Sequence, residues 1–194
     1  MLLAIDTSAG TSAAVLDGKK LLSYSFFEDP FGHAENIGIA ISQVLNEAGI
    51  SAAQITSVAI GRGPAPYTGL RVGMAAGLGF ATARGIQALG VITLDALALA
   101  NPIGKILVTF DAKRKELFAR TYIDGVASSE AWVMNPTELE NFQDHLRITQ
   151  SCNAELVGRY AVFASQNGID LTDVSALYLR SPDVSPSAPK KVSG

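Results

Sequence analysis

The chain has 194 residues, 48% of them hydrophobic and 17% charged, with a net charge of −3 and a pI near 5.3. That balance excludes a disordered chain and one that grips nucleic acid through a broad basic surface of its own. Its one cysteine, Cys152, excludes an intrachain disulfide framework and a zinc site built on several thiolates. No apolar run reaches the roughly 18 residues of a membrane-spanning helix. Met1 to Asp6 lacks a basic flank and reads as a first strand rather than a signal peptide, so a soluble cytoplasmic protein is expected.

Taken in chain order, Leu2 to Ile5 is an apolar run that stops at Asp6-Thr7-Ser8. Thr11 to Leu16 is a second strand, Asp17-Gly18 a tight hairpin, and Leu21 to Phe27 a third strand. A helix follows from about His33 to Ala48, ended by Gly49. Ile37, Ile41, Val44, Leu45 and Ala48 form its apolar stripe. His33 either orders the start of that helix or lies in an interface.

Val58 to Ile60 is a short strand leading into Gly61-Arg62-Gly63-Pro64-Ala65-Pro66-Tyr67-Thr68-Gly69-Leu70-Arg71. The glycine spacing fits neither a Walker loop nor a dinucleotide fingerprint. The segment reads either as a turn that sets a helix angle or as an anion-holding helix start. In the helix beginning near Tyr67, Gly69, Gly73, Gly77 and Ala81 recur every fourth residue and form one small-residue ridge. Each interior glycine costs roughly 1 kcal/mol against alanine, so close packing must offset about 3 kcal/mol. Leu70, Met74 and Leu78 form a neighbouring stripe of larger side chains. One face suits the chain's own sheet; the other suits a helix of the same lobe or of a second protein.

The grammar then repeats. Lys105 to Phe110 is a strand stopping at Asp111, Leu117 to Ile123 the next, Asp124-Gly125 a hairpin, and Val126 to Val133 a third strand. Asn135-Pro136 opens a helix, and a further helix runs from about Ala154 to Asn167 before Gly168. Trp132 reads as core, and Cys152 as a small buried or loop residue. Lys113-Arg114-Lys115 reads either as a solvated hairpin turn or as a minor RNA or phosphate contact. Residues 1–101 are expected to form an N-terminal lobe, 102–180 a smaller C-terminal lobe, and 181–194 a Pro/Ser-rich tail.

This duplicated strand–Asp–strand pattern resembles the actin-like ATPase superfamily. The resemblance implies an α/β fold of the actin-like (ASKHA, ribonuclease H-like) duplicated type, with two small lobes, each a mixed sheet with helices. It also implies that Asp6, Thr7 and Ser8, with Asp111 in the second lobe, occupy the place of a nucleotide site, here vestigial. An aspartate at a strand end is equally an ordinary turn former.

More specifically, Leu3-Ala4-Ile5-Asp6-Thr7-Ser8, His33, Gly61-Arg62-Gly63-Pro64 and Tyr67-Thr68-Gly69-Leu70-Arg71 resemble the TsaB family. Gly90-Val91 with Leu94, Phe110-Asp111-Ala112-Lys113-Arg114 and Tyr178-Leu179-Arg180 fit the same pattern, so the match covers about residues 1 to 180. Ala65-Pro66 departs from it, standing where the family has Gly-Ser. The chain is also short after His145, so a trimmed second lobe is expected.

The resemblance implies a non-catalytic assembly subunit of the tRNA threonylcarbamoyladenosine machinery that binds the catalytic relative TsaD. It implies an interface of His33, Ile37, Ile41, Val44 and Leu45 with Tyr67, Leu70, Gly73, Met74 and Gly77. The same helices would pair two copies in isolation. A TsaE-like ATPase would join a ternary complex, tRNA would be met only indirectly, and no cofactor is implied. TsaD holds a metal through a His-x-x-x-His pair after a Gly-Val; here Thr93 and Leu97 stand at those places, and neither replaces an imidazole. The two histidines, His33 and His145, have no local ligand spacing. The other reading of the residues is an independent actin-like ATPase or small phosphotransferase using Asp6 and Asp111. On the interface reading, Gly73→Leu is expected to abolish association and leave the fold intact.

Overall fold

A computed structural model describes residues 1–180 apart from Pro30, Pro66 and the side chain of Tyr67; the expected tail, 181–194, lies outside the described residues. The first sheet holds β1 (Leu2–Asp6), β2 (Thr11–Asp17), β3 (Lys20–Phe27), β4 (Ser57–Gly61) and β5 (Gln87–Val91) in the order β3-β2-β1-β4-β5. β1, β2 and β3 pair antiparallel, while β4 and β5 add in parallel. β1 lies at the centre and is buried on both faces, which is why it reads as a continuous apolar run.

Strand alternation splits those residues between two cores. Leu3, Ile5, Ala13, Val15, Val58 and Ile60 face α1 (His33–Glu47) and α2 (Tyr67–Arg84). Leu2, Ala4, Ala14, Leu16 and Ala59 face the middle of the molecule, where α3 (Thr93–Ala98) and α4 (Ala154–Gln166) lie. Full burial of a single Leu or Ile side chain there stabilises the fold by about 1.5–3 kcal/mol. Beyond α3 comes the second sheet, ordered β10-β6-β7-β8, from β6 (Lys105–Asp111), β7 (Leu117–Ile123), β8 (Val126–Ala127) and β10 (Leu146–Ile148). β9 (Trp132–Met134) also pairs with β7. Ile106 and Val108 face the middle core, whereas Leu107, Ala119 and Met134 form a thin outer cluster with Trp132 and Phe142.

The two sheets and their helices form the actin-like duplicated fold expected from the repeat. The first hairpin turn is Gly18-Lys19 and not the expected Asp17-Gly18, because Asp17 still pairs with Lys20 at the end of β2; the second turn follows its residues. Asp124 and Gly125 take φ of 49° and 79°, the paired left-handed values of a tight hairpin, and Gly49 ends α1 at φ 66°. The second copy of the repeat is thinner than its sequence suggested. The expected strand Val126 to Val133 divides into β8 and β9, because the ladder to β7 breaks after Ala127. The helix opened by Asn135-Pro136 is a 3-10 turn, Pro136–Phe142, capped at its N-terminus by an Asn135/Glu138 capping box. α4 packs back on the first sheet, with Gly158 directly over Ala4 and Leu16.

Residues 169–180 carry no regular element but run across both sheets. Gly90 N donates to Leu171 O at 2.8 Å, Leu177 N donates to Arg62 O at 2.8 Å, and Arg62 pairs with Asp173 at 3.2 Å. Tyr178 lies against Arg71, whose Nε donates to its hydroxyl at 2.9 Å. Arg180 then reaches the β6–β7 turn, donating to Ala112 O at 2.9 Å and pairing with Glu116. That turn holds three consecutive left-handed residues, Lys113, Arg114 and Lys115, at φ 62°, 57° and 61°. Each costs roughly 1–2 kcal/mol for a residue with a Cβ.

Candidate functional site: the paired helices and the strand end beneath them

The glycine ridge of α2 faces inward, onto the loop that follows β1. Thr7 Oγ1 donates to Gly69 O at 2.8 Å and so fixes the first turn of the helix. A Cβ at Gly69 would lie 2.7 Å from His33 Nε2 and 2.8 Å from Thr7 O, and one at Gly73 would overlap the Thr7 side chain. One at Gly77 would lie 2.6 Å from Ile60 Cγ1. The ridge thus lets α2 approach β1 and β4 more closely than any alanine allows. Its cost is offset within the chain.

The residues read as an interface therefore divide. Val44 and Leu70 are fully buried, Ile37, Met74 and His33 nearly so, and Gly73 and Gly77 sit against the sheet. Ile41 and Leu45 are half-buried at the edge of the same core. Tyr67 begins α2, and its side chain lies outside the described residues. For His33 the structure gives a structural contact: Nδ1 lies 2.9 Å from Thr11 Oγ1, and the ring packs on Gly69. A leucine at position 73 would collide with Thr7, so Gly73→Leu is expected to disturb the fold, against the expectation drawn from the ridge alone.

A second set of small residues faces outward. Ala34 and Gly38 on α1, with Ala75 and Gly79 on α2, are exposed, and a Cβ at Gly38 or Gly79 would meet nothing within 4 Å. Ile39 beside them is 48% exposed. Between Arg71 and Arg84, α2 carries no charged residue on any face. A helix apolar all round is ordinarily buried all round, yet Ala75, Gly79 and Ala83 meet solvent. Sequence reading missed these positions because the four-residue ridge drew attention to the other face. The signal was present in the uncharged stretch from Val72 to Ala83.

Beneath α1 and α2 lies the strand end. Asp6 is 2% exposed, and its Oδ1 accepts from the backbone N and hydroxyl of Ser8 at 3.0 and 2.6 Å. Its Oδ2 is buried without a hydrogen-bond partner and rests against Gly61. Burial pushes the Asp6 carboxyl above the usual carboxylate range, and the Ser8 hydrogen bonds oppose this. Ser12 Oγ donates to Asp6 O at 3.0 Å and accepts from Ala154 N at 2.9 Å, tying α4 to the same point. The hydroxyls of Thr7 and Ser8 are thus committed to Gly69 and Asp6 rather than turned toward a ligand. Asp111, its counterpart in the repeat, sits on an exposed turn and pairs with Lys113 at 3.0 Å. The two aspartates have opposite environments, one buried and one exposed.

The positions matching the metal-binding pair also turn inward. Thr93 and Leu97 are fully buried in α3, and Thr93 N donates to Gly63 O at 2.8 Å. A threonine and a leucine at those positions do not fit a metal. Among the described residues no three His, Cys, Asp or Glu side chains come together as a metal would need, and no helix is long and apolar enough to cross a membrane.

The family model described as tRNA N6-adenosine threonylcarbamoyltransferase, TsaD, matches residues 31–149. An uncharacterized protein of Mycobacterium tuberculosis is 36% identical over 127 residues, 64% of this chain and 60% of its own length. The tRNA threonylcarbamoyladenosine biosynthesis protein TsaB of Escherichia coli is 29% identical over 125 residues, 62% of this chain and 54% of that protein. The match thus spans about 60% of the M. tuberculosis protein and about half of the E. coli one. YeaZ of Pseudomonas aeruginosa superposes with a TM-score of 0.76 at 23% identity, over 92% of this chain and 99% of that one, and shares its fold. With the TsaD model matching more than half of it and TsaB proteins among its relatives, the chain belongs to the TsaD-related family, on its TsaB (YeaZ-like) branch.

Proposed function

We propose that this chain is an assembly subunit for tRNA N6-threonylcarbamoyladenosine formation, and that it carries no chemistry of its own. Its work is to bind a TsaD-like catalytic subunit and hold it in the active arrangement. The observation that carries this reading is the outward face of α1 and α2. Gly38 and Gly79 are left open there, Ile39 is half exposed, and α2 is uncharged from Val72 to Ala83. A helix from a partner can approach such a face closely, as small residues allow, and bury the apolar area that this chain leaves in water.

Of the sequence-read interface, Ile41 and Leu45 lie near enough to the surface to border the contact. His33, Ile37, Val44, Leu70, Gly73, Met74 and Gly77 support it from below by fixing how α1 and α2 sit on the sheet. The same face pairs two copies of the chain when no partner is present. A TsaE-like ATPase docks on the assembled pair, and the catalytic subunit supplies most of the tRNA contact. A subunit of this kind works in the cytoplasm.

Reconstitution tests the reading. Threonylcarbamoyl transfer to tRNA is measured with the chain alone, with a TsaD-like subunit and its ATPase partner, and with all three together. Transfer is expected only in the full mixture. Transfer by the chain alone, or full transfer without it, contradicts the reading.

A further inference from the structure

The β6–β7 turn is not explained by the fold or by the partner face. Lys113, Arg114 and Lys115 are all exposed, and all three hold left-handed backbone. A hairpin needing such φ values is built most cheaply from Gly, Asn or Asp, and this chain uses that chemistry at Asp124-Gly125. At 113–115 it keeps three cations in a conformation that each of them resists. The turn is braced from behind: Arg180 donates to Ala112 O at 2.9 Å and to Lys113 O at 3.4 Å, and pairs with Glu116. Asp111 accepts from Lys113 N at 2.7 Å on the other side and also pairs with the Lys113 ammonium at 3.0 Å, an exposed pair that a phosphate would compete with. With Arg180, residues 111–116 hold four cations against two carboxylates, a local net charge of +2 on a chain whose total is −3.

We infer that this turn is a contact for the phosphate backbone of RNA, with Lys113, Arg114 and Lys115 touching phosphates and Arg180 acting as a positioning residue. The tip, Lys113 to Lys115, carries only cations. A protein partner would call for an apolar or aromatic anchor at the centre of its contact. Cations alone suit a contact that positions a polyanion without reading its sequence. The choice of RNA rests on the tRNA reading above; the strain and the charge do not. Such a contact makes the chain a direct, sequence-blind participant in holding tRNA, where an acidic chain suggested only an indirect one.

Opposite signs in two measurements test this. Arg114→Gly/Lys115→Gly relieves the backbone strain, so the thermal midpoint of the isolated chain is expected to rise. Affinity for a labelled tRNA transcript at low salt, read by fluorescence anisotropy, is expected to fall about tenfold, and the slope of log affinity against log salt to shrink by about 1.5 to 2. Lys19→Ala, in the β2–β3 turn, is expected to leave both unchanged. The native chain failing to bind at low salt overturns the inference, and so does a glycine variant that binds like the native chain. Capture of the TsaD-like subunit by the glycine variant is expected to match the native chain. Lost capture with retained RNA binding would make the turn a protein contact and overturn the inference, while leaving the assembly reading standing.

Discussion

The glycines on the two sides of the α1–α2 pair look alike in sequence and differ in what explains them. Gly69, Gly73 and Gly77 face the sheet, where Thr7, His33 and Ile60 occupy the space that a side chain would need. Gly38 and Gly79 face outward, where nothing of this chain comes within 4 Å of an added Cβ. The inward set is required by the fold of the single chain. The outward set costs helix stability with no close contact inside the chain to offset it, and the proposed partner contact would supply that offset.

Gly73→Leu forces four heavy atoms against Thr7 and is expected to cost about 3 kcal/mol or more, read as loss of the cooperative transition in urea. Gly77→Ala adds one methyl 2.6 Å from Ile60 Cγ1 and is expected to destabilise by about 1–3 kcal/mol, although alanine is the better helix former. If it stabilises the chain, the inward ridge is not tightly packed. Gly79→Ala, one turn-fraction away on the same helix, is expected to stabilise by about 0.5–1 kcal/mol in the same titration.

A pH-dependent effect is expected at the strand end under the ridge. Burial holds the Asp6 carboxyl above its ordinary range, so its ionised form is disfavoured in the fold. The stability this group contributes is complete below the ordinary carboxylate pKa and is lost as pH rises through the raised one. Asp6→Asn is therefore expected to raise the thermal midpoint at neutral pH, with the gain vanishing in acid. A loss at neutral pH would mean that the charge itself is held favourably.

Much of this was legible in the sequence. The Asp124-Gly125 hairpin, the start of α2 at Tyr67 and the all-buried β1 follow from local chemistry, and each is where the residues place it. Periodicity likewise fixed which residues of α2 share a face. It left open which face meets the sheet, because a glycine ridge and a Leu70-Met74-Leu78 stripe both suit close packing. That choice depends on Thr7 and His33, which are distant in sequence and meet α2 only in the fold. The second repeat was over-read for a related reason. Val126 to Val133 has the pattern of a strand, but only Val126–Ala127 and the Trp132 and Val133 end pair with β7. Arg180 was visible only as part of the Tyr178-Leu179-Arg180 stretch that fits the family pattern; its contacts were not, since its partners Ala112 and Glu116 lie more than 60 positions away.

The most direct measurement of the central claim is a calorimetric titration of a TsaD-like catalytic subunit with the native chain, Gly38→Leu and Gly79→Leu. Each leucine is expected to weaken binding about tenfold or more, while the isolated chain keeps its helical signal and a midpoint at least as high as the native one. Native affinity in both variants, with the fold intact, would show that the outward face of α1 and α2 is not where a partner binds.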